Sequence, residues 1–205
     1  MENKKGAFCM AAGFLLVLAA LLLTGYNVWD EGRAGAAADA TFQALKFQTE
    51  EGREELPEYI LPDYLVDPRF EMPTVEIDGY DYIGYLDIPS LELSLPVMSE
   101  WSYPQLKIAP CRYAGSVYLD DMILAAHNYD RHFGRLKNLE GGELVRFTDV
   151  DGNVFDFSVT ELELLWPEQT EEMLSGEWDL TLFTCTLGGR QRVTVRCDRI
   201  EDMAG

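Results

Sequence analysis

The sequence predicts a mainly β protein: a closed antiparallel β-barrel with a few short helices, preceded by an N-terminal transmembrane helix. Three observations carry this expectation. Residues 6–29 hold no charged side chain, and about 20 apolar residues suffice to cross a bilayer as a helix. From about Tyr80 onward, short apolar segments alternate with period two between Gly, Pro and Asp turn signals, the pattern of half-buried strands. Helix-period segments in that region are few, and many short strands of this kind suit a barrel, which leaves no open edge.

In chain order, residues 1–5 read as a cytoplasmic tail and 6–29 as the anchor. Lys4 and Lys5 precede the apolar run and Asp30 and Glu31 follow it, so the N-terminus is expected inside and the rest outside, in a single-pass plasma-membrane protein. No small-x-small site follows the run closely, which favours an uncleaved anchor over a signal peptide. Residues 30–78 hold 13 carboxylates against 4 basic residues, together with Pro57, Pro62, Pro68 and Pro73. That composition resists forming its own core and reads as an acidic stalk or linker with a short helix early. The domain proper is expected over 79–205. Its strands are predicted at Tyr82–Ile88, Leu91–Val97, Ser116–Ala126, 143–147, 154–166, 180–185 and 192–197, with Asp151-Gly152 as a hairpin signal. Short helices are expected near Ser102–Leu106 and Phe133–Leu139.

The chain carries 16 Lys+Arg against 36 Asp+Glu, a formal net charge of -20. Such a surface excludes nucleic acid as a natural partner, because phosphate binding needs a basic face. Two histidines and four scattered cysteines lack metal-ligand spacing, so neither a metal nor a cofactor is expected. Of the three cysteines outside the apolar run, either Cys111 pairs with Cys197 and leaves Cys185 free, or none pairs.

Three residues stand out chemically. Cys185 ends an apolar run, Leu180 to Thr184, just before the flexible Thr186-Leu187-Gly188-Gly189. His127 ends another run, Ile123 to Ala126. Arg192 opens the last predicted strand. A thiolate is a nucleophile, an imidazole can hold and return its proton, and a guanidinium is a fixed positive donor for a developing oxyanion. His132 lies between Arg131 and Phe133, near Asp130, and reads as a solvated loop residue. Arg190 is two residues from Arg192, so the two share a strand face if the strand begins that early.

From about Tyr82 to the end the chain resembles the sortases, cell-surface cysteine transpeptidases of Gram-positive bacteria. Tyr82-Ile83-Gly84-Tyr85-Leu86-Asp87-Ile88-Pro89 resembles the family's opening strand. Ala125-Ala126-His127-Asn128, followed by Phe133-Gly134-Arg135-Leu136, resembles its histidine block. Thr181-Leu182-Phe183-Thr184-Cys185 matches its Thr-Leu-x-Thr-Cys motif, with Arg192 placed as the family's arginine. These blocks assign no subclass. The resemblance implies Cys185 as nucleophile, His127 as acid/base and Arg192 as substrate and oxyanion binder, with Thr184, Leu182, Arg190 and Asn128 as substrate-binding residues. It implies cleavage of a C-terminal sorting motif of the Leu-Pro-x-Thr-Gly type in surface proteins. The acyl group would pass to an amine of a peptidoglycan precursor or a pilin-like protein, with hydrolysis as side reaction. Asp67-Pro68-Arg69-Phe70 faintly resembles the lid of pilin-type members, and a proline-rich linker is the plainer reading. The rival function is a catalytically inactive barrel that serves as a surface-binding module.

Overall fold

The computed structural model describes residues 2–54, 62–67 and 69–200. Among these residues nine strands are formed: β1 (Val75–Ile77), β2 (Tyr80–Ile88), β3 (Leu93–Met98), β4 (Cys111–Ala114), β5 (Met122–Ala125), β6 (Leu144–Asp149), β7 (Val154–Leu165), β8 (Leu180–Cys185) and β9 (Arg192–Arg199). They make one sheet in the order β1-β2-β3-β4-β5-β8-β9-β7-β6, and β6 pairs back onto β2. The eight strands β2–β9 therefore close into a barrel, with β1 added to the edge of β2 beside β6. Two seams, β3–β4 and β5–β8, are parallel. At β5–β8 the purely antiparallel order expected from sequence fails because the β6–β7 hairpin leaves the sheet after β5 and rejoins it beyond β9, so β5 meets β8 rather than its neighbour in the chain.

Alternation fills the barrel. Ile83, Leu86, Ile88, Leu95, Val97, Leu124, Phe147, Phe157, Leu182 and Val195 form one buried cluster. The β2 alternation slips by one residue at Gly84, where the β2–β3 register shifts. A Cβ on Gly84 would overlap the Thr148 carbonyl oxygen and the Asp149 Cα of β6. Only glycine lets β6 approach closely enough to close the barrel.

The first helix, α1 (Glu2–Glu54), is longer than the anchor expected from sequence. It is long and apolar enough to cross a membrane, and the large apolar side chains between Phe8 and Trp29 are exposed. Past Trp29 it continues because the stretch is rich in Ala and meets no proline before Pro57. Its buried residues Ala34, Ala38, Phe42, Leu45 and Thr49 recur every three or four positions and form one helix face. That face lies on β1, β2 and β3. Phe42 meets Tyr85 edge-on at 5.3 Å, and fully buried Leu45 contributes about 2 kcal/mol of apolar burial. The first half of the expected solvated stalk is thus a docked helix, whose buried face packs on the barrel while Asp30, Glu31 and Asp39 engage residues 129–131. Further on, α2 (Asp63–Val66) brings Tyr64 to stack on Tyr118 at 4.6 Å, buried Met72 joins the core, and β1 joins the sheet. The 55–61 stretch with Pro57, and Pro68 of the lid-like segment, lie outside the described residues.

His132 departs from its expected place. It is 0% exposed rather than solvated, and neither ring nitrogen has a hydrogen-bond partner. The chain folds back on itself there: His132 and Gly134 both donate their N–H groups to the Tyr129 carbonyl, each at 2.9 Å. Burial, reinforced by His127 and Arg131, drives its pKa from 6.5 down to about 4.

Two predictions follow from this packing. Gly84→Ala is expected to destabilise the protein by about 2 kcal/mol or more through overpacking at the β2–β6 seam, read as a lower urea midpoint; an unchanged midpoint would contradict the close approach. His132 titrates near 6.5 unfolded and near 4 folded, so between those values the unfolded chain binds more protons. Its contribution is fully present above pH 6.5 and is lost as pH falls toward 4, by about 3 kcal/mol. His132→Phe should therefore flatten the decline in unfolding free energy between pH 7 and pH 4.5. Parallel declines in wild type and variant would show that this ring is not the acid-sensitive group.

Candidate active site

Two strand pairings build the site. β5 runs parallel to β8, with Ala125 opposite Phe183, and β8 runs antiparallel to β9, with Cys185 opposite Arg192. The parallel ladder extends one step beyond β5, where Ala126 N–H donates to the Phe183 carbonyl at 3.2 Å. Thr184 Oγ1 donates to the Ala126 carbonyl at 2.9 Å and locks the register. Leu180, Leu182 and Thr184 face inward, so Phe183 and Cys185 face outward, as do Ile123 and Ala125 of β5. His127 follows two residues after Ala125, just past the end of the β5–β8 ladder.

Cys185 and Arg192 line a cavity of about 170 Å³ between the outer barrel face and two loops. Its walls include Trp101, Tyr103, Tyr113, Trp166, Met173 and Phe183. Tyr113 meets Phe183 edge-on at 5.2 Å and lies 5.3 Å from Trp101, which makes a stiff aromatic flank. Cys185 is exposed at the end of β8. The turn after it is tied by Thr186 N–H donating to the Gln191 carbonyl at 2.9 Å and Gln191 N–H donating to Thr186 Oγ1 at 3.1 Å. Arg192 Nη1 makes only long contacts with the Gly189 and Gln191 carbonyls, 3.3 and 3.4 Å. Among the described residues no carboxylate pairs with it.

His127 stands at the rim rather than in the cavity lining. Its N–H donates to the Leu106 carbonyl at 3.3 Å, and its carbonyl accepts from Phe133 N–H at 3.3 Å. The half-buried ring stacks on Tyr129, centroids 4.1 Å apart and planes 16° apart. Its Nδ1 has no hydrogen-bond partner. Burial, with the Lys107 charge adding to it, lowers its pKa, while the Asn128 side chain acts the other way. The balance favours the neutral imidazole at neutral pH. Gly134 seals this loop, since a Cβ there would press on the Asn128 and Tyr129 carbonyl oxygens.

The floor of one wall is a residue the sequence analysis missed. Arg196, only 2% exposed, pairs with Glu163 at 2.8 Å and donates to Thr181 Oγ1 at 3.0 Å. It also donates to the carbonyls of Glu172 at 2.7 Å and Met173 at 3.4 Å, at the end of α3 (Thr170–Met173). A buried guanidinium needs this many acceptors; in return it fixes the 166–178 segment that forms the cavity's side. The clue in sequence is that Arg192, Thr194 and Arg196 share the outward face. Only the covering loop shows that Arg196 is buried while Arg192 remains open.

Other expected site residues fall elsewhere. Leu182 is fully buried among the inward core residues, because β-alternation turns it away from the cleft, so it is not placed to touch substrate. Arg190 is exposed at the turn before β9 and outside the cavity lining. Thr184 does reach the lining, and Asn128 flanks His127. Asp67, Arg69 and Phe70 do not line the cavity. Cys111 and Cys197 are free buried thiols. They belong to separate clusters, Cys111 under α1 and Cys197 inside the barrel, which accounts for the absence of a disulfide between them. Burial pushes the Cys111 thiol up to about 12 and the Cys197 thiol higher still, so both are inert.

Known proteins share this fold. A family profile for the sortase domain matches residues 86–200, a span that includes His127, Cys185 and Arg192. Sortase A of Bacillus anthracis is 24% identical over 190 residues, 89% of each chain. The sortase D5 transpeptidase of Clostridium perfringens superposes with a TM-score of 0.58 at 16% identity, over 81% of this chain and 99% of that one. Sortase C1 of Streptococcus suis gives 0.51 at 27% identity, over 60% and 75%. A profile that spans more than half of the chain, on a barrel of the same fold, shows that this protein belongs to the sortase family.

Proposed function

We propose that this sortase is a membrane-anchored extracellular cysteine transpeptidase that cleaves a C-terminal sorting motif of surface proteins and transfers it to an amine. The observation that carries the reading is the shared cleft. Cys185 and Arg192 are cross-strand partners in the β8–β9 register and both line it, no carboxylate pairs with Arg192 among the described residues, and His127 lies two residues past the β5–β8 ladder, at the cleft's rim. The structure of Clostridium perfringens sortase C with the C-terminal cell wall sorting motif (TM-score 0.53, 23% identity, covering 80% of this chain and 91% of that one) supports a peptide of that class as substrate.

In this mechanism Cys185 Sγ attacks the carbonyl carbon of the scissile peptide bond. Negative charge gathers on the carbonyl oxygen, where Arg192 supplies fixed donors. The neutral His127 takes the thiol proton and returns it to the nitrogen that leaves. The C–N bond breaks, and a thioester remains on Cys185. An incoming amine, from a peptidoglycan precursor or another surface protein, loses its proton to His127 and displaces the thiolate; water in its place gives hydrolysis. The apolar span 6–29 anchors the chain, with the lysines before it keeping the N-terminus cytoplasmic and the barrel outside.

The test uses the full chain in detergent with a quenched sorting-motif peptide, with and without an amine. Cys185→Ala should abolish cleavage and the thioester mass adduct. His127→Ala and Arg192→Ala should each lower kcat/KM by about a hundredfold or more. Equal cleavage by wild type and Cys185→Ala would refute the mechanism. A wild type that neither cleaves nor acylates would point to a binding module instead.

A further inference from the structure

The loop that carries His127 is held by the anchor helix. Tyr129 Oη donates to Asp30 Oδ2 at 2.6 Å, and Asp30 is the first charged residue after the uncharged 6–29 run. Arg33 Nη2 donates to the other oxygen of the same carboxylate at 2.9 Å. Next to it, Glu31 accepts the Asp130 N–H at 2.7 Å, and Asp39 pairs with Arg131. The Arg131 side chain crosses the helix in the gap left by Gly35, where a Cβ would collide with it. Three side chains of α1, Asp30, Glu31 and Asp39, spread over about 13 Å of helix rise, therefore grip residues 129–131.

This grip reaches the imidazole. The Tyr129 ring lies flat on His127. Among the described residues His127 Nδ1 has no hydrogen-bond partner, and no carboxylate or carbonyl of the kind that commonly orients a working histidine meets it. The backbone bonds to Leu106 and Phe133 place the residue but not its ring. The Tyr129 stack and the Asn128 side chain flank the ring, and the Asp30 bond holds the Tyr129 face of it in place. An exposed ion pair such as Asp39–Arg131 is worth little alone. The Tyr129–Asp30 bond is charge-assisted and partly buried, and so is the stronger contact.

We infer that Asp30 and Tyr129 are positioning residues for His127, so that the first extramembrane turns of α1 are a working part of the cleft and not merely its tether. The inference rests on the reading of His127 given above. It makes the ring's alignment depend on a helix that enters the membrane directly below it.

The experiment uses full-length protein in detergent micelles or nanodiscs, with Asp30→Ala, Asp30→Asn, Tyr129→Phe and the Asp30→Ala/Tyr129→Phe double variant. Each of Asp30→Ala and Tyr129→Phe should lower kcat by about fivefold or more with KM little changed, and the double variant should fall no further than the worse single. Asp30→Asn, which keeps an acceptor, should recover most of the loss. A second readout needs no substrate. With only two histidines in the chain, His127 Cε1–H is assignable by NMR with His132→Phe as reference, and its ring-stacked shift should move toward the unstacked position in Asp30→Ala. Additive losses of kcat, or a His127 resonance that does not move in Asp30→Ala, overturn the clamp. If wild type cleaves no peptide, the transpeptidase reading fails and the resonance alone decides the clamp.

Discussion

The parallel pairing of β5 with β8 is the constraint on which the rest of the molecule depends. Parallel strands end at the same edge of a sheet, so the residues that follow β5 and those that finish β8 emerge side by side. The antiparallel return of β9 then adds its first residue to the same spot. Cys185 and Arg192 are thereby set opposite each other, and His127 follows two residues after the end of β5 at the same edge. The Thr184 hydroxyl on the Ala126 carbonyl, buried in the seam, secures that alignment. A one-residue slip would turn Cys185 into the barrel and Thr184 out.

The barrel interior and its outer face do different work. Inside, an apolar cluster supplied by nearly every strand closes the fold. Outside, the face that holds Cys185 is walled by segments with little regular structure, which need their own means of support. The 166–178 wall is held by the buried Arg196, whose guanidinium is occupied by Glu163, Thr181 and the end carbonyls of α3. The histidine loop is held by α1. Both supports are polar and charge-assisted, so they fix direction as well as proximity, which burial alone does not.

The long helix changes how the protein presents itself. A flexible tether would let the cleft turn freely above the membrane. A helix that runs unbroken from the apolar span into contacts with β1, β2 and β3 instead ties the cleft's orientation to that of the span. The acidic residues of this segment do not keep it solvated as a whole, because Ala34, Ala38, Phe42 and Leu45 are buried against the barrel and Asp30, Glu31 and Asp39 are engaged by residues 129–131.

Much of this was legible in the sequence. Period-two alternation located β2, β3, β6, β7, β8 and β9, and the cysteine block marked Cys185 because a thiol at a strand end beside glycines is an uncommon placement. Where only local pattern was available, the reading failed in specific ways. β1 and β4 are three and four residues long, too short to show a period. His132 looked solvated because its neighbours are charged, yet the loop folds over and buries it. Leu182 shared the motif of Cys185 but not its side of the strand. The sequence by itself determined the local geometry: which residues alternate, where turns fall, which segment is apolar enough to span a membrane, and which groups have reactive chemistry. Tertiary structure alone decided which strands are neighbours, which of two arginines four residues apart is open and which is buried, and that Asp30 reaches Tyr129 across 99 positions. Local periodicity reports one strand or helix face at a time. Neighbour choice depends on contacts whose partners are far apart in the chain, and no local pattern encodes them.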